Sequence, residues 1–131
     1  MVPIAPIDDA AYAVEKAHFL SEVARVAGAG AEPCGVLGAR GHNAKILACV
    51  NDAWEARRAF TLISEDRSGY CPNLVAYAGD AQGRIHLIQS CPDRDHRQGQ
   101  VLQPSIDECP SFSPPHADNG GFGRCSMLDV I

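Results

Sequence analysis

Apolar positions recur with two periods along this chain. Tyr12, Phe19, Leu20, Val23 and Ala27 fall at near-helical spacing and predict a helix over 9–27 with one apolar face. Asp8 and Asp9 suit its start, where the helix dipole is positive. The stretch "GAGAEP" (28–33) ends it, because glycine and proline do not continue a helix cheaply. Short β-compatible runs follow at 34–39, 44–50, 59–63 and 84–90. "GHN" between the first two suggests a hairpin, and "NDAWEARR" (51–58) reads as a helical turn. The segment 74–90 is either a hairpin turning at "GDAQG" or the end of a helix followed by a strand. From Cys91 the texture becomes loop-like, with one helical turn expected at Ser105 and a last strand in "RCSMLDVI" (124–131). The expected fold class is α+β: one domain, 1–131, with the N-terminal helix packed on a mixed or antiparallel sheet.

Charge removes some function classes. The net charge is −5 and the basic residues are scattered, so no basic stripe points to nucleic acid. No apolar run is long enough to span a bilayer, and residues 1–15 lack the charged and apolar regions of a signal peptide. A cytoplasmic protein is the resulting expectation. Six cysteines stand at 34, 49, 71, 91, 109 and 125, without a Cys-x-x-Cys pair. In a reducing compartment at least four should be unpaired thiols; in an oxidising one the six can form three disulfides.

Three separated pieces carry candidate chemistry. They are "EPCGVLG" (32–38), "NDAWEARRAFTLISED" (51–66), and "IHLIQSCPD" (85–93) with "PSIDE" (104–108). In this order, over about residues 10–109, they resemble the JAMM (MPN) metallopeptidase family. That family shows a Glu-x-Cys-Gly-Leu-Leu strand start, an Asn…Phe segment, His-Ser-His-Pro and then Pro-Ser-x-x-Asp. The resemblance implies an MPN-like, cytidine deaminase-like three-layer architecture. It also implies roles by position. Glu32 falls on the general base and Ser105 on the oxyanion-stabilising serine. Gln89 and Cys91 fall on the two histidine zinc ligands. Asp107 falls on the third ligand, or Glu108 if the serine–acid spacing is kept.

The departures from the family sit at the ligands. Catalytic zinc takes three protein donors and leaves a position for water. Gln89 is a neutral amide and a poor zinc ligand, whereas Cys91 as a thiolate is a good one. His96, five residues after Cys91, is a candidate replacement from the loop. His86 faces away from Gln89 by strand alternation. The ligand set therefore implies a non-catalytic, pseudoenzyme-like binding or scaffold module with no expected cofactor. Its partner would be a ubiquitin-like or other peptide tail, taken up by strand addition. The alternatives are a zinc-dependent amide or isopeptide hydrolase with altered ligands, and an unrelated small α+β protein. Nothing in the sequence sets an oligomeric state.

Overall fold

The structure is a computed structural model describing residues 7–37, 44–67, 71–97, 99–109, 111–113 and 124–126. Helix α1 (Asp9–Ala27) opens with Asp8 as its cap, whose carboxylate accepts from the Ala11 N–H at 2.7 Å. Tyr12, Glu15, Phe19, Val23 and Ala27 are its buried face. Strand β1 (Glu32–Leu37) follows, then helix α2 (Ala44–Ala56), then β2 (Phe60–Glu65), β3 (Leu74–Gly79) and β4 (Ile85–Ser90). The short helix α3 (Pro92–Asp95) leads to β5 (Ser105–Glu108), and β6 (Ser111–Ser113) pairs with β7 (Arg124–Ser126) in a separate ribbon.

The chain is thus α+β, with its N-terminal helix packed on a five-stranded mixed sheet of order β1-β2-β3-β4-β5. β1 and β2 are parallel, joined through α2, and every later neighbour is antiparallel. Strand alternation separates two cores. Leu74, Ala76, Ala78 and Ile88 meet α1 on one face. Phe60, Leu62, Tyr77 and Ile85 meet α2 on the other, together with Phe112 from β6. Phe112 stacks edge-on against Trp54 and Tyr77, each at 5.1 Å between ring centres. Each fully buried Phe, Leu or Ile side chain contributes about 1.5–3 kcal/mol to this packing.

Several expectations change here. The run 44–50 is helical, not a strand: Leu47, Val50 and Ala53 are buried at three-residue spacing, and the run continues through the expected turn to Ala56. No β1–α2 hairpin forms in consequence. The alternative at 74–90 resolves as a hairpin. Asp80 clasps its turn by accepting from the Gln82 and Arg84 N–H groups at 2.9 and 3.0 Å and lies 3.1 Å from His86 Nε2. Burial of Asp80 opposes its ionisation. The His86 contact, the two backbone N–H groups and the Arg84 charge outweigh that and hold its carboxyl below the usual range. Ser105 begins a strand, not a helical turn, because β5 is recruited as the neighbour of β4. The expected last strand is described only over Arg124–Ser126; the rest of 124–131 lies outside the described residues.

The cysteines also depart from expectation. Cys34 is bonded to Cys49, joining β1 to α2, and Cys71 is bonded to Cys91. Cys109 is disulfide-bonded as well. Five of the six are therefore accounted for as bonded, against the expectation of at least four unpaired thiols. Among the described residues no helix is long and apolar enough to cross a membrane.

Candidate functional site

A cleft of about 300 Å³ opens where β4 ends and β5 begins. Gln89, Ser90 and the Cys71–Cys91 disulfide form one side, with Arg94 and Asp95 of α3 beside them. Leu102, Gln103 and Ser105 form the other. The two sides meet because Gln89 and Ser105 are cross-strand partners, and the Ser105 hydroxyl donates weakly to the Gln89 carbonyl at 3.4 Å. Arg94 grips Asp95 through two bonds of 2.7 Å. That grip holds the Asp95 carboxyl below its ordinary range, so the charged pair largely neutralises itself. The remaining polar lining is amide and hydroxyl.

Sequence reasoning missed what holds the second wall. Glu15 sits on the apolar stripe of α1 between Tyr12 and Phe19 and is 3% exposed. Its carboxylate accepts from the Leu102 N–H at 3.0 Å and lies 3.4 Å from the buried His96 Nδ1. That distance permits an ion pair when the ring is charged, but the nitrogen is not aligned for a hydrogen bond. His18, one turn further on, meets the Gln103 side chain at 3.3 Å. His96, Leu102 and Gln103 are thereby held against α1. A single acid interrupting a helical apolar stripe was the signal available in the sequence.

The first wall has its own buried clasp. Asn73, 1% exposed, donates to the Asp66 carbonyl at 3.1 Å and accepts from the Asp93 N–H at 3.0 Å. Its Oδ1 also lies 3.4 Å from Cys91 Sγ, a sulfur that carries no proton while bonded to Cys71. Arg67 reinforces the same corner. It stacks 3.8 Å over the Tyr12 ring and reaches both Asp93 oxygens, at 3.1 and 2.7 Å.

The structure brings together some of the residues singled out from the sequence. Gln89, Cys91 and Ser105 line one cleft. Asp107 stands two residues beyond Ser105, opposite Leu87, outside the lining. Glu108 is one residue further on, opposite His86. Glu32 is remote. It shares a row with Phe60, Gly79 and Ile85, so it lies three strands across and four residues short of Gln89. At ordinary strand spacing and rise that is roughly 20 Å. Glu32 instead lies 3.9 Å from Arg58, half exposed. β1 and β4 are not neighbours, so Glu32 does not reach the Gln89 position.

The donors do not fit a catalytic zinc. Gln89 offers an amide, Cys91 offers no thiolate, Asp107 is outside the cleft, and His96 turns to Glu15. Among the described residues no three His, Cys, Asp or Glu side chains group as metal ligands. Comparison with family models, curated proteins and solved structures returned no significant match.

The cleft thus offers amide and hydroxyl hydrogen-bonding groups beside the Arg94–Asp95 ion pair. It adjoins β5, which among the described residues pairs on one side only, with β4. All four β5 residues are exposed, Ile106 to 38%, and Val101 near the cleft to 47%. The Cys109 N–H donates to the Ile85 carbonyl at 2.8 Å. Alternation along an antiparallel strand then turns the Ser105 and Asp107 N–H groups toward β4 and those of Ile106 and Glu108 away from it.

Proposed function

We propose that this chain is a non-catalytic binding module that takes up an extended peptide tail along β5. The observation that carries the reading is the exposed β5 edge, with outward N–H groups at Ile106 and Glu108, ending in an amide- and hydroxyl-lined cleft at Ser105. Main-chain pairing would supply most of the affinity. Gln89, Gln103 and Ser90 suit the amide groups of a slim, glycine-rich segment, of which a ubiquitin-like tail is one example. Ile106 and Val101 give it apolar purchase beside the edge.

The reading rests on this cleft and edge, not on kinship. The motif comparison would need β1 beside β4 to bring Glu32 to Gln89, and β2 and β3 stand between them. The stapled cysteines suit an oxidising compartment better than the expected cytoplasm.

The test is a titration of isotopically labelled protein with a synthetic glycine-rich heptapeptide, followed by amide chemical shifts. Shifts should concentrate on Gln89, Gln103 and Ser105–Glu108. Saturable shifts centred on β1 or α2, or none at about 1 mM peptide, would refute the proposal.

A further inference from the structure

The cleft carries a reactive bond as well as a binding surface. The Cys71–Cys91 disulfide lines it unequally: Cys71 is half-buried, and Cys91 is 4% exposed. A thiolate attacks a disulfide in line with the bond, so the reachable sulfur is the one attacked and its partner leaves. Both residues line the cleft, but Cys71 is the more exposed of the two, which makes its sulfur the favoured target and Cys91 the departing one.

The interior is arranged to receive that sulfur as a thiol. Asn73 Oδ1 is 3.4 Å from Cys91 Sγ and holds one N–H, from Asp93 at 3.0 Å. An amide oxygen has two lone pairs, so one remains for a further donor. The disulfide sulfur has no proton to offer it; a Cys91 thiol would. Asn73 is itself fixed through the Asp66 carbonyl. Opening the bond thus converts a bare sulfur–oxygen contact into a buried hydrogen bond, and leaves no new unpaired polar group in the core.

We infer that the Cys71–Cys91 disulfide is a thiol–disulfide exchange site, with Cys71 as the acceptor of a small peptide thiol of the glutathione class. The co-reactant thiolate attacks Cys71 Sγ, the Cys71–Cys91 bond breaks, and Cys91 leaves as a thiolate that takes a proton from water and, now a thiol, donates a hydrogen bond to Asn73 Oδ1. One mixed disulfide and one thiol result, without net oxidation. A second molecule of the thiol, attacking the mixed disulfide on the co-reactant's sulfur, releases the Cys71 thiolate and the oxidised co-reactant. The amides and hydroxyls of Gln89, Gln103 and Ser105 suit the peptide groups of such a thiol. This inference stands independently of peptide binding along β5.

The test incubates native, fully oxidised protein with reduced glutathione, blocks free thiols with N-ethylmaleimide at mildly acidic pH, and maps adducts by peptide mass. Glutathione should appear on Cys71 and maleimide on Cys91, in preference to the reverse by more than about tenfold. Cys71 should also be modified before Cys34 or Cys49. Ser105→Phe, an exposed strand position in the cleft wall, should slow adduct formation by about tenfold, with far-UV dichroism confirming that the variant is folded. Adducts mainly on Cys91, earlier reaction at Cys34–Cys49, or reaction only at the rate of global unfolding would overturn the inference. So would an unchanged rate in folded Ser105→Phe.

Discussion

Replacing Glu15 by alanine should both destabilise the protein and loosen one wall of the cleft. Glu15 is 3% exposed, and its carboxylate is the acceptor for the Leu102 N–H at 3.0 Å. Truncation removes a charge-assisted hydrogen bond, worth about 1.5–3 kcal/mol, and leaves His96 Nδ1 facing a void. Against this, desolvating the carboxylate already costs something in the native state, which brings the expected loss to about 2 kcal/mol. For a chain of this size that corresponds to roughly 6–10 °C in melting temperature. Glu15→Gln keeps an acceptor oxygen for Leu102 and should lose less than half as much. Urea unfolding gives the free energies, and amide exchange at Leu102 reports the strap itself. Leu102 exchange should accelerate in Glu15→Ala beyond what the global destabilisation explains. A loss below about 0.5 kcal/mol, with Leu102 exchange unchanged, would refute the idea that Glu15 secures Leu102 to α1.

Gly79→Ala should cost about 1–3 kcal/mol in urea unfolding, since its Cβ would fall 2.6 Å from Cε1 of the fully buried Phe60 ring; a neutral substitution would mean that the ring yields freely. Arg67→Lys should cost about 1–2 kcal/mol, because lysine does not reproduce both the stacking on Tyr12 and the two-oxygen grip on Asp93; equal stability of the two proteins would remove that corner from the account. Burial opposes the ionisation of Glu65, but the Lys16 bond at 2.8 Å, the nearby Tyr12 hydroxyl and the Lys16 and Arg67 charges outweigh it and hold the carboxyl below the usual glutamate range. A depressed carboxylate contributes stability that is complete above its unfolded pKa and lost as pH falls through the folded one, so stability should decline as pH drops below about 4, and less steeply in Lys16→Ala.

Much of the fold can be read from periodicity. The α1 stripe and the strands at 59–63 and 84–90 follow from local pattern, while 74–90 left a hairpin at "GDAQG" and a helix end as alternatives that the β3–β4 pairing decides. The run 44–50 does not, because seven apolar-rich residues suit either a strand or one side of a helix. Only the continuation to Ala56 and the packing of Val50 and Ala53 against the sheet decide it. β5 shows the opposite failure: Ser105 and Asp107 resemble helix-capping residues, yet pairing with β4 overrides that preference. Of the candidate site, Gln89 and Cys91 flank one strand end, where alternation and chain proximity are local facts, whereas Ser105 joins them only through the motif resemblance and the β4–β5 pairing. Glu32 was placed beside them by motif order alone, and strand order is a property of the whole sheet. The cysteine pairing and the partner of Glu15 depend on contacts across 15 to 87 residues of sequence, which no local pattern supplies.

The central claim is that β5 receives an extended chain on its outer edge. Amide exchange at single-residue resolution, with and without a saturating glycine-rich heptapeptide, tests it most directly. Exchange at Ile106 and Glu108, whose N–H groups turn away from β4, should slow by about tenfold or more, while Ser105 and Asp107, already paired to β4, change little. Equal slowing at all four positions, or protection confined to β1, would contradict strand addition at this edge.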